Sequence, residues 1–355
     1  MSGITIVTPG PQTTVQDLGR VGWQHIGMGP AGAMDAVSAQ IANGLVGNAP
    51  GAAVLEAALH GPALTFDATA VAAITGGTVR ATLNGAPVPM WRSFRVKAGD
   101  TLALGPVAAG LRVYLAFSGG ITVPPVMGSW ATNLAAATGG LGGHALKAGD
   151  CLPLGETPGR NVAQMRELPV SDLPPYLRGL QAPHTPKTIT LRVVPGPQQD
   201  AFTRRGRHCF YESTYTLTGQ SDRMGYRFDG PAIEAKNGTD ILSDGTATGS
   251  VQVAGSGLPM LLMADRQTTG GYAKIATVIT ADLPAAAQLR PGDAVRFEAV
   301  PVGAAQALLR RQAEWLAGLA GRLVPIEEPP SQGGVWHFTA QSETGQTFTG
   351  TVRPR

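Results

Sequence analysis

Asp265, Arg266, Gln267, Thr268, Thr269, Tyr272 and Lys274 crowd into one short stretch around the pair Gly270-Gly271. A carboxylate and an amine can move protons, a guanidinium can hold an anion, and hydroxyls can orient a substrate. The flanks, Leu258-Pro259-Met260-Leu261-Leu262-Met263-Ala264 and Ile275-Ala276-Thr277-Val278-Ile279, are short and apolar and read as strands. A plain hairpin needs glycine at positive φ and at most a threonine. It does not need Asp, Arg, Tyr and Lys together, so the stretch reads as a functional loop between two buried strands.

Three further segments carry comparable chemistry. Asp17-Leu18-Gly19-Arg20 offers an arginine fork for a carboxylate or phosphate, or an Asp17–Arg20 ion pair that closes the loop. Ser221-Asp222-Arg223-Met224-Gly225-Tyr226-Arg227 sets two arginines and an acid around a glycine. The Arg223–Arg227 spacing predicts that both face the same side of an extended chain. Gln252, in the strand-like run 249–253, needs partners at both its carbonyl and amide ends. That suits the reading of an amide or lactam, and equally a core hydrogen bond. The glycine-rich run 27–35 opens a helix, where backbone N–H groups can meet an anion. It lacks the Lys-Ser/Thr of a phosphate loop and the preceding strand of a dinucleotide fingerprint.

The elements that must position these groups are mainly strands. Pro9-Gly10-Pro11-Gln12 recurs as Pro195-Gly196-Pro197-Gln198, each after an apolar run. Gly61-Pro62-Ala63-Leu64 recurs as Gly230-Pro231-Ala232-Ile233, and the turn before Gly99-Asp100 recurs before Gly292-Asp293, in the same order. This ordered set points to a diverged duplication. A third Gly-Asp turn lies at Gly149-Asp150. The expected organisation is a first β domain over 1–155, a Pro-rich linker over 156–187, a second β domain over 188–300, and a helix and tail over 301–355. Helices are expected from the Asp35 cap through Leu45, as one short turn from Leu283 to Leu289, and as an amphipathic helix over 304–323 packed on its own barrel. The tail beyond Pro329 alternates, as in a terminal hairpin or arm.

Hydrophobic residues make up 43% of the chain and charged ones 14%, which excludes disorder. A net charge of +3, with no basic run interleaved with aromatics, gives no support to nucleic-acid binding. Cys151 and Cys209 lack metal-ligand spacing, so no metal site is expected, and free thiols fit a cytoplasmic setting. No signal peptide and no membrane span are read.

Taken together, 14–20, 32–35, 43–48, 112–116, 221–227 and 265–272 resemble, as an ordered set, the biotin-dependent carboxyltransferase A/B family. That family includes the C subunit of bacterial 5-oxoprolinase, KipA, proteins labelled allophanate hydrolase subunit 2, and part of urea carboxylase. The resemblance implies a mainly β chain of two cyclophilin-like barrels with few helices. It implies an enzyme subunit that hydrolyses cyclic amides together with two partners, a KipI-like protein and a lactam-utilisation protein. The three would open 5-oxoproline to L-glutamate with ATP, bound at the level of the complex. A second implied activity moves a carboxyl group from carboxybiotin to a urea-like acceptor; a third role is KipA-type regulatory binding. In the enzyme readings Asp265 and Lys274 would serve proton transfer. Arg20, Asp17, Arg223, Gln252, Arg266, Gln267, Thr268, Thr269, Gly270, Gly271 and Tyr272 would bind a small amide or lactam. The chain departs from the family's Gly-Ser-Arg-Ser-Thr with Gly128-Ser129-Trp130-Ala131-Thr132, and from its Gly-Arg with Gly143-His144.

Overall fold

A computed structural model of the chain describes residues 3–156, 164–326, 336–341 and 347–352. The mainly β expectation holds. The first half is a nine-stranded antiparallel sheet, a half-barrel, whose main path runs Gln12–Gln16, Val54–Ala58, Thr101–Phe117, Ala63–Phe66, Gly3–Thr8, Cys151–Pro153. The long strands Ala70–Leu83 and Thr101–Phe117 pair along most of their length. The second half is a closed barrel in the order Thr188–Pro195, Lys274–Val278, Ser250–Val253, Pro259–Leu262, Gly225–Asp229, Tyr215–Leu217, Ala294–Ala299. It closes through a parallel pairing of the first and last of these strands.

The three Gly-Asp turns are built alike. Gly99, Gly149 and Gly292 sit at φ 86°, 89° and 93°. Asp100, Asp150 and Asp293 each accept a hydrogen bond from the backbone N–H three residues earlier, at 2.7, 2.8 and 2.9 Å. Only glycine takes that backbone without cost, and the carboxylate ties the turn shut, so one short motif starts a strand at each place.

Helix α1 (Ala36–Val46) begins at Asp35, whose side chain accepts from the Ser38 N–H, and ends at Gly47 with φ 78°. Short helix α2 (Pro175–Arg178) lies in the Pro-rich segment, α3 (Arg204–Glu212) flanks the barrel, α4 (Leu283–Ala286) is the expected single turn, and α5 (Val302–Ala317) is the amphipathic helix. Helix α3 was not expected, because its sequence is polar and it buries only Gly206 and Phe210. Phe210 stacks on Phe297 of the barrel at 4.5 Å. The two tail strands, Trp336–Gln341 and Thr347–Val352, pair as an antiparallel hairpin.

Three apolar clusters hold the molecule. One fills the half-barrel and one the closed barrel. The third lies between α1, the outer face of the first sheet and the Pro-rich segment. There Leu168, Leu173, Leu177 and Leu180 are buried, each contributing about 1.5–3 kcal/mol of transfer free energy. No helix among the described residues is long and apolar enough to cross a membrane. Cys151 and Cys209 are free thiols.

Candidate functional site

The loop after Gln12–Gln16 sets Asp17 and Arg20 against the segment 126–140. Asp17 accepts from Gly19 N–H at 2.7 Å, from the Ser129 hydroxyl at 2.8 Å and from Trp130 N–H at 2.7 Å. Arg20 is fully buried and donates to the carbonyls of Val126 and Ala131 at 2.9 and 2.8 Å. The expected Asp17–Arg20 ion pair does not form, because Asp17 spends its oxygens on the 129–130 backbone and hydroxyl. The Arg20 Nη1 has no partner. Gly139, at φ +74°, leaves room for Arg20; a Cβ there would lie 2.6 Å from Nη2. Ala31, Met127 and Ala137 all hold positive φ in these loops. Such strained backbone persists where the surroundings impose it and gathers at functional sites.

At the junction of the two halves lies a buried charge network. Arg223 donates through Nε and Nη2 to both oxygens of Asp265 at 2.9 and 3.0 Å, to the Gly32 carbonyl at 2.7 Å, and through Nη1 to Glu56. Glu56 also accepts from the Tyr114 hydroxyl and the Met34 N–H, both at 2.8 Å, and lies 3.6 Å from Arg112. Arg112 bonds the Tyr226 hydroxyl and the Ala287 carbonyl at 2.6 Å. Although burial opposes its charge, the facing carboxylates of Glu56 and Asp265 hold Arg223 above its ordinary value. Burial, reinforced by Glu56, pushes the Tyr114 hydroxyl well above its ordinary value. The expectation that Arg223 and Arg227 share a side fails. Residues 221–224 form a turn in which Asp222 accepts from Met224 and Gly225 N–H, so strand alternation starts only at Gly225. Arg223 is buried and Arg227 exposed.

The stretch 265–274 is less a loop than expected. Thr269–Tyr272 forms a strand paired with Asp240–Gly245. Neither Gly270 nor Gly271 takes positive φ, so the pair is no hinge. Gly270 is instead a close approach: a Cβ would lie 2.5 Å from the Gln252 amide nitrogen. Gln252 is buried and donates to the Tyr272 carbonyl at 3.2 Å. The Gln267 carbonyl accepts from the Thr246 hydroxyl at 2.5 Å, and the Thr268 carbonyl from Thr246 N–H at 3.0 Å. The Gln267 and Thr269 side chains are exposed. Tyr272 faces outward, lining a 510 Å³ cavity with Arg227 and Gln220.

Arg266 stands apart. It is 2% exposed, donates only through Nη2 to the Thr246 carbonyl at 3.3 Å, and leaves Nε and Nη1 without partners. Burial pushes it down to about 10, with no carboxylate to offset the cost. The first-half glycine loop abuts it: a Cβ on Gly29 would lie 3.0 Å from the Arg266 carbonyl and 3.3 Å from the Asn133 amide. Lys274, also 2% exposed, bonds Asp244 at 2.8 Å. Gln198 accepts from Lys274 N–H at 3.2 Å and donates to Asp244 at 3.0 Å, so the second Pro-Gly-Pro-Gln motif frames this pair.

The structure therefore gathers Arg20, Asp17, Arg223, Asp265 and Arg266 along the junction, with Gln252, Lys274 and Tyr272 towards the barrel strands. At the end of the helix-opening run 27–35, the Ala33, Met34 and Asp35 amides donate to the Asp17 backbone carbonyl, the Glu56 carboxylate and the Tyr114 hydroxyl. Glu56, Arg112, Gln198, Asp244 and Thr246 were not anticipated. Glu56 left one signal, a lone carboxylate in the apolar strand Val54–Ala58. Trp130, where the family carries arginine, contributes its backbone to Asp17, and His144 bonds the Ala145 carbonyl at 2.8 Å.

The chain is 37% identical over 313 residues to the 5-oxoprolinase C subunit of Haemophilus influenzae, covering 88% of this chain and 96% of that protein. It is 37% identical over 322 residues to the 5-oxoprolinase C subunit of Escherichia coli, covering 90% and 98%. The crystal structure of the urea amidolyase of K. lactis superposes with a TM-score of 0.81 at 29% identity, covering 98% of this chain and 22% of that one. The chain thus spans about a fifth of that larger protein. The carboxyltransferase domain, subdomain A and B, profile matches residues 26–299, and with relatives of this identity and coverage the chain belongs to that family.

Proposed function

We propose that the chain is the C subunit of an ATP-dependent 5-oxoprolinase-type complex that opens 5-oxoproline to L-glutamate. Its partners in this reading are a KipI-like protein and a lactam-utilisation protein. The observation that supports it best is Arg266, a buried cation with two unpartnered N–H groups beside a strained, glycine-lined loop. Leaving such donors unsatisfied is costly, and that cost is recovered when an anionic oxygen binds. 5-Oxoproline carries a carboxylate and develops negative charge on its lactam carbonyl oxygen when the amide is activated and attacked. Arg266 and the free Nη1 of Arg20 match these needs, and the Asp17–Ser129 contacts fix the Arg20 side. Both Asp265 oxygens accept from Arg223, an arrangement that suits holding Arg223 rather than abstracting a proton. The proton-transfer role then falls to Lys274, whose partner Asp244 is half exposed and can exchange with solvent. In this reading ATP is bound by one of the partners.

The likeness to urea amidolyase supports a second reading, in which the same guanidinium groups hold a carboxyl group passed from carboxybiotin to a urea-like acceptor. Co-expression with the two partner proteins, followed by ATP- and 5-oxoproline-dependent glutamate formation, tests the first reading. Glutamate that forms only with this chain present supports it. An assembled complex that makes none, yet consumes a urea-like acceptor with a biotin carboxylase, replaces it with the second.

A further inference from the structure

A cavity of 570 Å³ lies on the far side of α1 from the half-barrel core, walled by the Pro-rich segment, by residues 281–285 and by α5. Its volume falls within the range of sites that take small organic ligands. Its walls divide by chemistry. Val37, Leu173, Ala285, Leu308 and the Trp315 ring supply an apolar surface. Arg178, Arg311 and Arg322 supply three guanidinium groups at the rim. A fourth, Arg192, is neutralised by Asp282, which accepts from its backbone N–H, Nε and Nη2. Of the rim cations, Arg322 lies over the Trp315 ring at 5.6 Å. Among the described residues the Arg178 and Arg311 side chains have no hydrogen-bond or carboxylate partner, and Asp172 is the one acid left to face them.

The imbalance decides the ligand's charge, and the wall decides its body. Guanidinium forks match a carboxylate bidentately, and a flat apolar ring fits beside Leu308 and Trp315. We infer that this cavity is a second binding site, separate from Arg266, for a small organic carboxylate with a planar apolar body. The Tyr176 hydroxyl at the cavity wall donates to Asp35 at 2.8 Å, and Gln288 donates to the other Asp35 oxygen at 2.9 Å. The occupant therefore rests against Tyr176, whose hydroxyl stands between the cavity and the buried carboxylate that caps α1.

The test is calorimetric titration of the full chain with 2-naphthoate, with neutral 2-naphthamide as the control. Wild type is expected to bind naphthoate with a Kd of roughly 0.1–1 mM. Naphthamide is expected to bind about tenfold more weakly, one guanidinium–carboxylate interaction's worth. The R178Q/R311Q double variant loses no internal partner, so it folds, and it should weaken naphthoate binding at least tenfold. Ala285→Phe should abolish binding by filling the apolar wall, while Arg266→Met should leave it unchanged. No binding to wild type, equal affinity for naphthamide, or binding indifferent to R178Q/R311Q overturns the site. Loss of naphthoate binding in Arg266→Met would place the ligand at the junction instead. If Ala285→Phe unfolds, the double variant and the amide control still decide.

Discussion

Glu56 and Arg223, 167 positions apart, meet as an ion pair whose side chains are 4% and 3% exposed. One residue comes from the half-barrel and the other from the turn before a barrel strand, so the pair clamps the two halves at the candidate site. Taking both charges out of water costs several kcal/mol, and only the surrounding donors and Asp265 repay it. Breaking one side should therefore cost more than removing the pair. Glu56→Gln is expected to destabilise by about 3–5 kcal/mol, because Arg223 and Arg112 lose their shared carboxylate. Glu56→Gln with Arg223→Met should cost less than the sum of the single variants by about 1–3 kcal/mol. Urea unfolding of the four proteins reads the cycle, and strict additivity would show that the pair does not clamp the halves.

Arg266 should trade stability against activity. Its Nε and Nη1 are buried without partners, and no carboxylate offsets its charge. Arg266→Met keeps the apolar length of the side chain and removes the unpaired cation. The variant is expected to gain about 1–3 kcal/mol in stability. Glutamate formation by the assembled complex should fall about 10²–10³-fold. A variant that loses stability and keeps activity would make Arg266 a structural residue.

Asp35 gives the fold a pH dependence of unusual sign for a carboxylate. Burial raises it above its ordinary 3.8, against the hydrogen bonds from Gln288, Ser38 and Tyr176. Because the folded state holds this proton more tightly than the unfolded chain, its contribution is fully present below the unfolded value. It is lost as pH rises through the raised folded value, by up to about 1.4 kcal/mol per pH unit. Asp35→Asn keeps an acceptor for Ser38 and removes the titration. Stability of wild type should fall relative to Asp35→Asn as pH rises from about 4. Parallel stability curves for the two proteins across this range would rule the assignment out.

The turns and caps were legible in the sequence because each is decided by neighbours in the chain. Gly-Asp needs only its own turn, and Asp35 caps α1 from one residue away. The Asp265–Lys274 stretch displayed its residue types in the sequence but not their geometry. A strand at Thr269–Tyr272 forms only because Asp240–Gly245 offers an edge, and that partner carried no local mark. The Asp17–Arg20 spacing suggested a pair, yet the segment 126–132, more than a hundred residues away, competes for both side chains. Glu56 and Asp244 belong to the same class: their partners are chosen by the junction of the two halves, which no window of sequence contains. Helix α3 was hidden for another reason, since it buries a single aromatic, Phe210, in a core made elsewhere.

Lys274 and Asp244 offer the sharpest division between a chemical and a structural role. Lys274 is buried, while the Asp244 side chain is 51% exposed and is lowered by its hydrogen bond from Lys274. A buried amine that touches solvent only through one carboxylate is placed to pass a proton outward. Lys274→Met preserves the apolar stem that packs in the barrel strand and removes the ammonium. It is expected to reduce glutamate formation about 10²–10⁴-fold with little change in the unfolding midpoint. Asp244→Asn keeps a hydrogen-bond acceptor for the ammonium but cannot relay a proton. It should lower the rate less than Lys274→Met and shift the pH profile of the rate. Full activity in Lys274→Met, within an assembled complex, would remove the amine from the mechanism. Equal loss in both variants with an unshifted pH profile would reduce the pair to a strut for Gln198 and the second Pro-Gly-Pro-Gln turn.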